Sequence, residues 1–311
     1  MRILMIGAGS VGSVLTRHLE SKANEVTYYV RAGRKAQLQR VKLLDARSGA
    51  LHVRERPSAI EPSQKLPSVD TAILAVRADQ LDAALDVVAQ LPTAETVRIA
   101  TASAGFDDLA RIRARFPGRA AAQIIPLFFA YPDGDVVRWW NPPLARTLVT
   151  DEHDDASQPF AEELAAALVA NGLPARALRS IGRARDAALA AGMPLVASFE
   201  LAGWDFDALA RDAELRKLAS RSMREGLRAM FKNPIASRLI GLTPMPLLST
   251  MLRAAPSVMP AGVKEMWRVH GPKIAGQTRA LLDTLIARAE GQDAESAGSL
   301  KELRRRLEKT P

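Results

Sequence analysis

The chain has no cysteine and only four histidines in 311 residues. Without cysteine there are no disulfides, no thiolate zinc sites and no cysteine nucleophile. Four scattered histidines make a histidine-rich metal site a poor expectation, and no metal is assigned. No run of eighteen apolar residues occurs, so no membrane-spanning helix is expected. MRILMI runs straight into glycines without a signal-peptide pattern, which points to a cytoplasmic protein. The net charge of +9 is spread along the chain, and only KELRRRLEKT (301–310) clusters it, interleaved with glutamates as on a solvated helix. With no reading motif and no aromatic stacking platform beside this charge, nucleic-acid binding is not expected.

What is present is a 48% hydrophobic, 25% charged composition, ordinary for a globular protein, at a length that suits two domains. The first half alternates apolar runs with amphipathic stretches, the pattern of a parallel sheet covered by helices. Strands are expected at RILMIG (2–7), EVTYYVR (25–31), TAILAV (71–76), VRIATA (97–102) and AAQIIPLFF (121–129). Helices are expected at 10–22, 32–40, 78–91 and 107–116, and PDGDVVRWWNPPLARTLVT (132–150) reads as a hairpin or meander. From FAEELAAALVANG (160–172) onward the periodicity is helical, apart from a short segment ARALRS (175–180). The expected fold class is α/β: a Rossmann-type dinucleotide-binding domain over 1–178 and an all-helical substrate or dimerisation domain over 179–311.

Residues 7–12, GAGSVG, form a G-x-G-x-x-G between the first strand and the first helix. Gly7 permits the tight turn, Gly9 lets backbone approach a pyrophosphate, and Gly12 allows close helix packing. Ser10 and Val11 open the helix whose N-terminus favours phosphate charge. An NAD enzyme usually carries an acid about twenty residues further on. Here the second strand ends YYVRAGRK, and Arg31, Arg34 and Lys35 put cations there instead, which suits the 2′-phosphate of NADPH.

These features resemble the ketopantoate reductase family, which reduces the ketone of 2-dehydropantoate with NADPH. The resemblance is carried by GAGSVG, the strand ending in arginine, AILAVRADQLDAAL, AYPDGDVVRWWN, LAAALVANGLPARALRSIGRARDAALAAGMPLVAS and RKLASRSMREGLRAM, and is faint beyond residue 231. It implies substrate held between a cofactor domain and a helical domain, hydride transfer from the nicotinamide and a lysine as proton donor. Arg77 stands where the family has a lysine after its fourth strand. TASAG replaces the family's Asn-Gly turn and leaves Ala102 or Ser103 there, close to the nicotinamide.

At the catalytic lysine itself the best-aligned residue is Asp186. That exchange reverses the charge offered to a keto acid, so ketopantoate is not the expected substrate. Some imine reductases resemble this chain in carrying aspartate where ketone reducers carry lysine. A carboxylate would favour a cationic iminium, or donate a proton if burial raised its pKa. The plain alternative is a helix-start acid beside Arg183 and Arg185, with Ser180 as N-cap.

Ser249 is a candidate for the family's substrate-binding serine. Tyr131 and His270 are further candidate acids that read more readily as structural, and Met245, Met251, Met259 and Met266 as core filling or pocket lining. Trp139 and Trp140 suit packing or a homodimer contact. The leading reading is an NADPH-dependent reductase of a small-molecule C=O or C=N group. Two others stay open: a catalytically silent NADPH-binding or redox-sensing protein, and a true 2-dehydropantoate 2-reductase whose lysine has moved to Lys217 or Lys273.

Overall fold

A computed structural model of the chain describes residues 1–230, 263–292 and 296–309. The chain divides into two units, Met1–Ile181 and Gly182–Pro311.

The first unit is built on an eight-stranded sheet of order β12-β11-β8-β7-β6-β1-β2-β5. Its strands are β1 (Arg2–Ile6), β2 (Glu25–Tyr29), β5 (Ala59–Ile60), β6 (Thr71–Leu74), β7 (Arg98–Thr101), β8 (Ala121–Ile125), β11 (Thr147–Thr150) and β12 (Ala175–Leu178). All neighbours are parallel except β11 against β8. Central strands such as Ile3–Ile6 and Thr71–Leu74 are buried throughout, as expected for a sheet covered on both faces. The covering helices are α1 (Ser10–Leu19), α2 (Leu81–Ala89), α3 (Asp108–Arg115) and α4 (Gln158–Ala170). One apolar core holds Val14, Leu15 and Leu19 of α1 with Leu164 and Leu168 of α4; the other holds Leu81, Leu85 and Val88 of α2 with Ile112 of α3.

Two expectations are corrected. No α-helix covers 32–40, only a 3-10 turn at Lys35–Gln37. Every residue from Arg31 to Gln37 is exposed and Leu38 is the stretch's one large apolar side chain, so a helix there would have no face to bury. The chain continues instead into β3 (Arg40–Asp45) and β4 (Leu51–Glu55), an antiparallel pair. The run 121–129 is not one strand either. Pro126 cannot donate to a ladder, β8 stops at Ile125, and the chain restarts as β9 (Phe129–Asp133), which pairs with β10 (Val136–Trp140). Together these make a second sheet of order β4-β3-β10-β9.

His18 pins α1 to this framework. Its Nδ1 lies 2.7 Å from the Asn171 carbonyl and its ring meets Trp139 edge-on at 5.1 Å. Burial pushes the imidazole pKa below the ordinary histidine value, and the Asn171 carbonyl only partly offsets this. The unfolded chain therefore binds the proton first. The contribution of neutral His18 is complete above about pH 6.5 and is lost as pH falls toward the folded-state value, at no more than about 1.4 kcal/mol per pH unit. Between pH 7.5 and 5.5, His18→Gln is expected to lose less thermal stability than the native chain. Equal losses would remove His18 from the account.

The second unit is helical in its described residues: α5 (Gly182–Leu201), α6 (Phe206–Arg211), α7 (Ala213–Met230), α8 (Val263–Glu290) and α9 (Gly298–Glu308). α5 packs on α7, α8 and α9. Pro194 inside α5 has no N–H for the Ala190 carbonyl. At that point α7 comes so close that a Cβ on Gly226 would lie 2.7 Å from this oxygen. Glu200 of α5, largely buried, pairs with Arg279 of α8 at 2.7 Å. Phe199, Trp204, Phe206 and Trp267 form an aromatic cluster.

Candidate functional site

In strand order the chain turns back at β1: β2 lies on one side of it and β6, β7 and β8 on the other. Ligands of open parallel sheets bind at such a switch point, beyond the carboxyl ends of the strands. GAGSVG sits there. Gly7 leaves β1 at φ +110°, and a Cβ on it would lie 2.4 Å from the Ala75 carbonyl oxygen that follows β6. Gly12 is tighter: a Cβ would stand 2.0 Å from the Gly7 oxygen and 3.2 Å from the Ala75 Cβ. A Cβ on Gly9, by contrast, would meet nothing within 4 Å. The loop is thus packed against the sheet at its outer glycines and open at its middle one.

Gly9 precedes α1 in extended conformation with no side-chain cap, and the first turn of α1 carries no acid. The amides of Ser10, Val11 and Gly12 open this helix and have no acceptor within it, so the loop offers a phosphate-sized anion free N–H donors at a helix N-terminus. Gly12→Ala is expected to lower the unfolding free energy by about 2 kcal/mol or more and to abolish nucleotide binding, because backbone must move to admit the methyl group. Gly9→Ala is expected to leave stability within about 0.5 kcal/mol while still impairing nucleotide binding. Chemical denaturation with a parallel nucleotide titration checks both, and equal stability losses in the two variants would count against this geometry.

Arg31 follows β2, and Arg77 follows β6. With the Gln80 amide turned so that its oxygen faces them, Arg31 Nη2 donates to it at 2.9 Å and Arg77 Nη2 at 3.3 Å. Arg77 also donates from Nε and Nη2 to the two carboxylate oxygens of Asp79, at 2.9 and 2.8 Å. The guanidinium holds the Asp79 carboxyl below the usual carboxylate range. Arg34 is exposed and reaches the Gln37 side chain at 2.6 Å. Lys35 is turned away, with its Nζ on the Gln64 side chain at 3.1 Å.

At the end of β7, the Ala102 amide donates to the Leu74 carbonyl at 2.9 Å. The next residue, Ser103, is held at both backbone groups: its N–H donates to Thr101 Oγ1 at 3.1 Å, and its carbonyl accepts from Gln123 Nε2 at 3.2 Å. Its hydroxyl is buried with no hydrogen-bond partner among the described residues. Such a group calls for an acceptor or donor from outside the protein.

The structure therefore gathers Gly7, Gly9, Ser10, Val11, Gly12, Arg31, Arg77, Ala102 and Ser103 at the carboxyl ends of β1, β2, β6 and β7. Asp186 is on α5 of the second unit, where Arg185 donates from Nε and Nη2 to its Oδ1 at 2.9 and 2.7 Å. The pair is well shielded, with side-chain exposures of 12% for Arg185 and 22% for Asp186. Ser180 is not an N-cap of α5; its hydroxyl donates to Glu152 at 2.7 Å. Tyr131 is buried on β9, Met266 is buried in α8, and Lys217 is exposed and paired with Glu214 at 2.7 Å. Ser249, Met245, Met251, Met259 and the side chain of His270 lie outside the described residues.

Gln80 and Gln123 are the site residues to which the sequence pattern assigned no role. Gln123 did leave a signal, as a lone polar residue in the apolar strand AAQII. Among the described residues no group of three or more His, Asp or Glu is placed to hold a metal, and no helix is long and apolar enough to cross a membrane.

A glycine turn at the switch point of a doubly wound sheet, followed by a helical unit, defines a Rossmann-type dinucleotide-binding architecture. Within that class, residues 3–140 match the family model described as ketopantoate reductase PanE/ApbA. Comparison with curated protein sequences gives no match.

Solved structures are similar over nearly the whole chain. A dimeric ketopantoate reductase from Staphylococcus aureus is 16% identical at a TM-score of 0.68, covering 99% of this chain and 98% of that one. A 2-dehydropantoate 2-reductase from Geobacter metallireducens is 16% identical at 0.73, covering 100% of both. A D-mandelate dehydrogenase solved with NADH and anilino(oxo)acetate is 15% identical at 0.74, covering 99% of this chain and 97% of that one. At these identities the likeness is one of fold.

Proposed function

We propose that this chain is an NADPH-dependent reductase that transfers hydride to the carbonyl or imine carbon of a small molecule other than ketopantoate. The observation that carries the reading is the convergence of Arg31 and Arg77, which follow the two strands flanking β1, on Gln80. The backbone of Gly7 to Gly12 would hold the pyrophosphate. Arg31, Arg34 and Arg77 would hold the 2′-phosphate through charge-assisted hydrogen bonds. Ala102 and Ser103 would lie against the nicotinamide, which supplies the hydride when bound, and the Ser103 hydroxyl would gain its missing partner there. Ser249 is kept as a substrate-binding candidate. We also place the protein in the cytoplasm as a homodimer, the S. aureus neighbour being dimeric.

Asp186 is the proposed catalytic residue of the second unit. With Arg185 on its Oδ1, it is better suited to act as a carboxylate than as an acid. A carboxylate stabilises a cationic iminium and repels a keto acid, so the geometry favours the imine side of the proposal. The test is NADPH oxidation with keto acids, neutral ketones and cyclic imines. Turnover is expected with imines or neutral ketones and to be weak with ketopantoate. Turnover of ketopantoate above all others would overturn the reading.

A further inference from the structure

The chain crosses from the first unit to the second once, at Ile181–Gly182, and α5 begins immediately afterwards. The three residues before this crossing are held by side chains of the segment that follows β11. Parallel β11 and β12 end level with each other, Thr150 beside Leu178, so the two outgoing segments start side by side. Glu152 then grips the second of them. Its Oε1 accepts from the Ile181 amide at 3.1 Å and from the Thr150 hydroxyl at 3.1 Å, and its Oε2 accepts from the Ser180 hydroxyl at 2.7 Å. Arg179 is bound too: its carbonyl accepts from the His153 amide at 2.7 Å, and its guanidinium meets Asp155 at 2.6 Å, buried Asp151 at 3.3 Å, and Gln158.

The backbone needed for this grip is costly. Glu152 and His153 both lie in the left-handed region, at φ +48° and +65°, where non-glycine residues are uncommon and consecutive ones more so. Glycine would relieve the strain at position 152 but could not supply the carboxylate. Strain retained for a specific contact marks a position whose geometry matters.

We propose that Glu152 is a positioning residue: it orders residues 179–181, the segment that leads directly into α5, which carries Asp186 in its second turn. This rests on the catalytic role proposed for Asp186. The plain alternative is a tight turn whose only task is to end β11.

The test uses the full-length chain with Glu152→Ala and Glu152→Gln, read by hydrogen exchange of residues 179–186, by NADPH affinity and by kcat and KM on the best substrate. In Glu152→Ala, exchange at the Ile181 amide is expected to rise at least about tenfold and kcat to fall about tenfold, with NADPH affinity unchanged. Glu152→Gln keeps an acceptor for the Ile181 amide and is expected to recover most of both. Unchanged exchange in Glu152→Ala, or raised exchange with native kcat, would overturn the proposal. So would a kcat loss that Glu152→Gln shares in full.

If Glu152→Ala does not fold, Ser180→Ala removes one contact of the same grip and is expected to show the smaller rise and fall together. A native chain that turns over no substrate would refute the catalytic reading and this proposal with it. The exchange measurement would still report whether Glu152 holds the connecting segment, so the two failures can be told apart.

Discussion

The double variant Arg31→Ala/Arg77→Ala is expected to bind NADPH about 100-fold more weakly than the native chain while its affinity for NADH changes less than about threefold. Each guanidinium stands at the end of a strand flanking β1, and both donate to Gln80. A charge-assisted hydrogen bond contributes about 1.5 to 3 kcal/mol. Arg31 is exposed and Arg77 partly so, which screens the interaction and brings the expected loss to roughly 1.4 kcal/mol for each. The comparison between cofactors is the informative part, since they differ by one phosphate. Parallel losses for NADPH and NADH would mean that the arginines support the loop rather than read the 2′-phosphate. Single variants should each show about a tenfold loss, so that the two together account for the loss in the double variant.

The second large effect belongs to Asp186. Asp186→Asn keeps the shape of the side chain and removes its charge, and is expected to lower kcat about 100-fold or more on a cyclic imine, with NADPH affinity within about twofold of native. Loss of the shielded Arg185–Asp186 ion pair should cost the variant some stability, so unfolding must be measured alongside. Asp186→Lys restores the residue type that the ketopantoate reductase resemblance calls for. It is expected to raise turnover of anionic keto acids relative to imines, although Arg185 at its side limits the gain. Full activity of Asp186→Asn would remove the residue from the chemistry.

The glycine turn was legible because its requirement is local: a positive φ and two close backbone approaches can be met only by glycine, whatever else the chain does. The buried strands were legible too, as short, mainly apolar runs between turn residues. The second sheet was not. RVKLLD and LHVRE mix charge with apolar residues, and they pair with each other and with a hairpin some ninety residues away in the chain, so no local period announces them.

Within the site, Arg31 was visible at its strand end, but Gln80 acquires meaning only when two strand ends and a 3-10 turn meet in space. Glu152 was invisible for a further reason: nothing in DEHDD requires a left-handed backbone, and tertiary contacts with Arg179, Ser180 and Ile181 impose it. Asp186 stood out solely through its departure from the family it resembles, and the structure added Arg185 as its partner.

The central claim, an NADPH site at the glycine turn, is tested most directly by titrating the native chain with NADPH and NADH and following nicotinamide fluorescence. The account predicts saturable binding of both, with NADPH at least about tenfold tighter. Absence of binding, or NADH bound as tightly as NADPH, would contradict it.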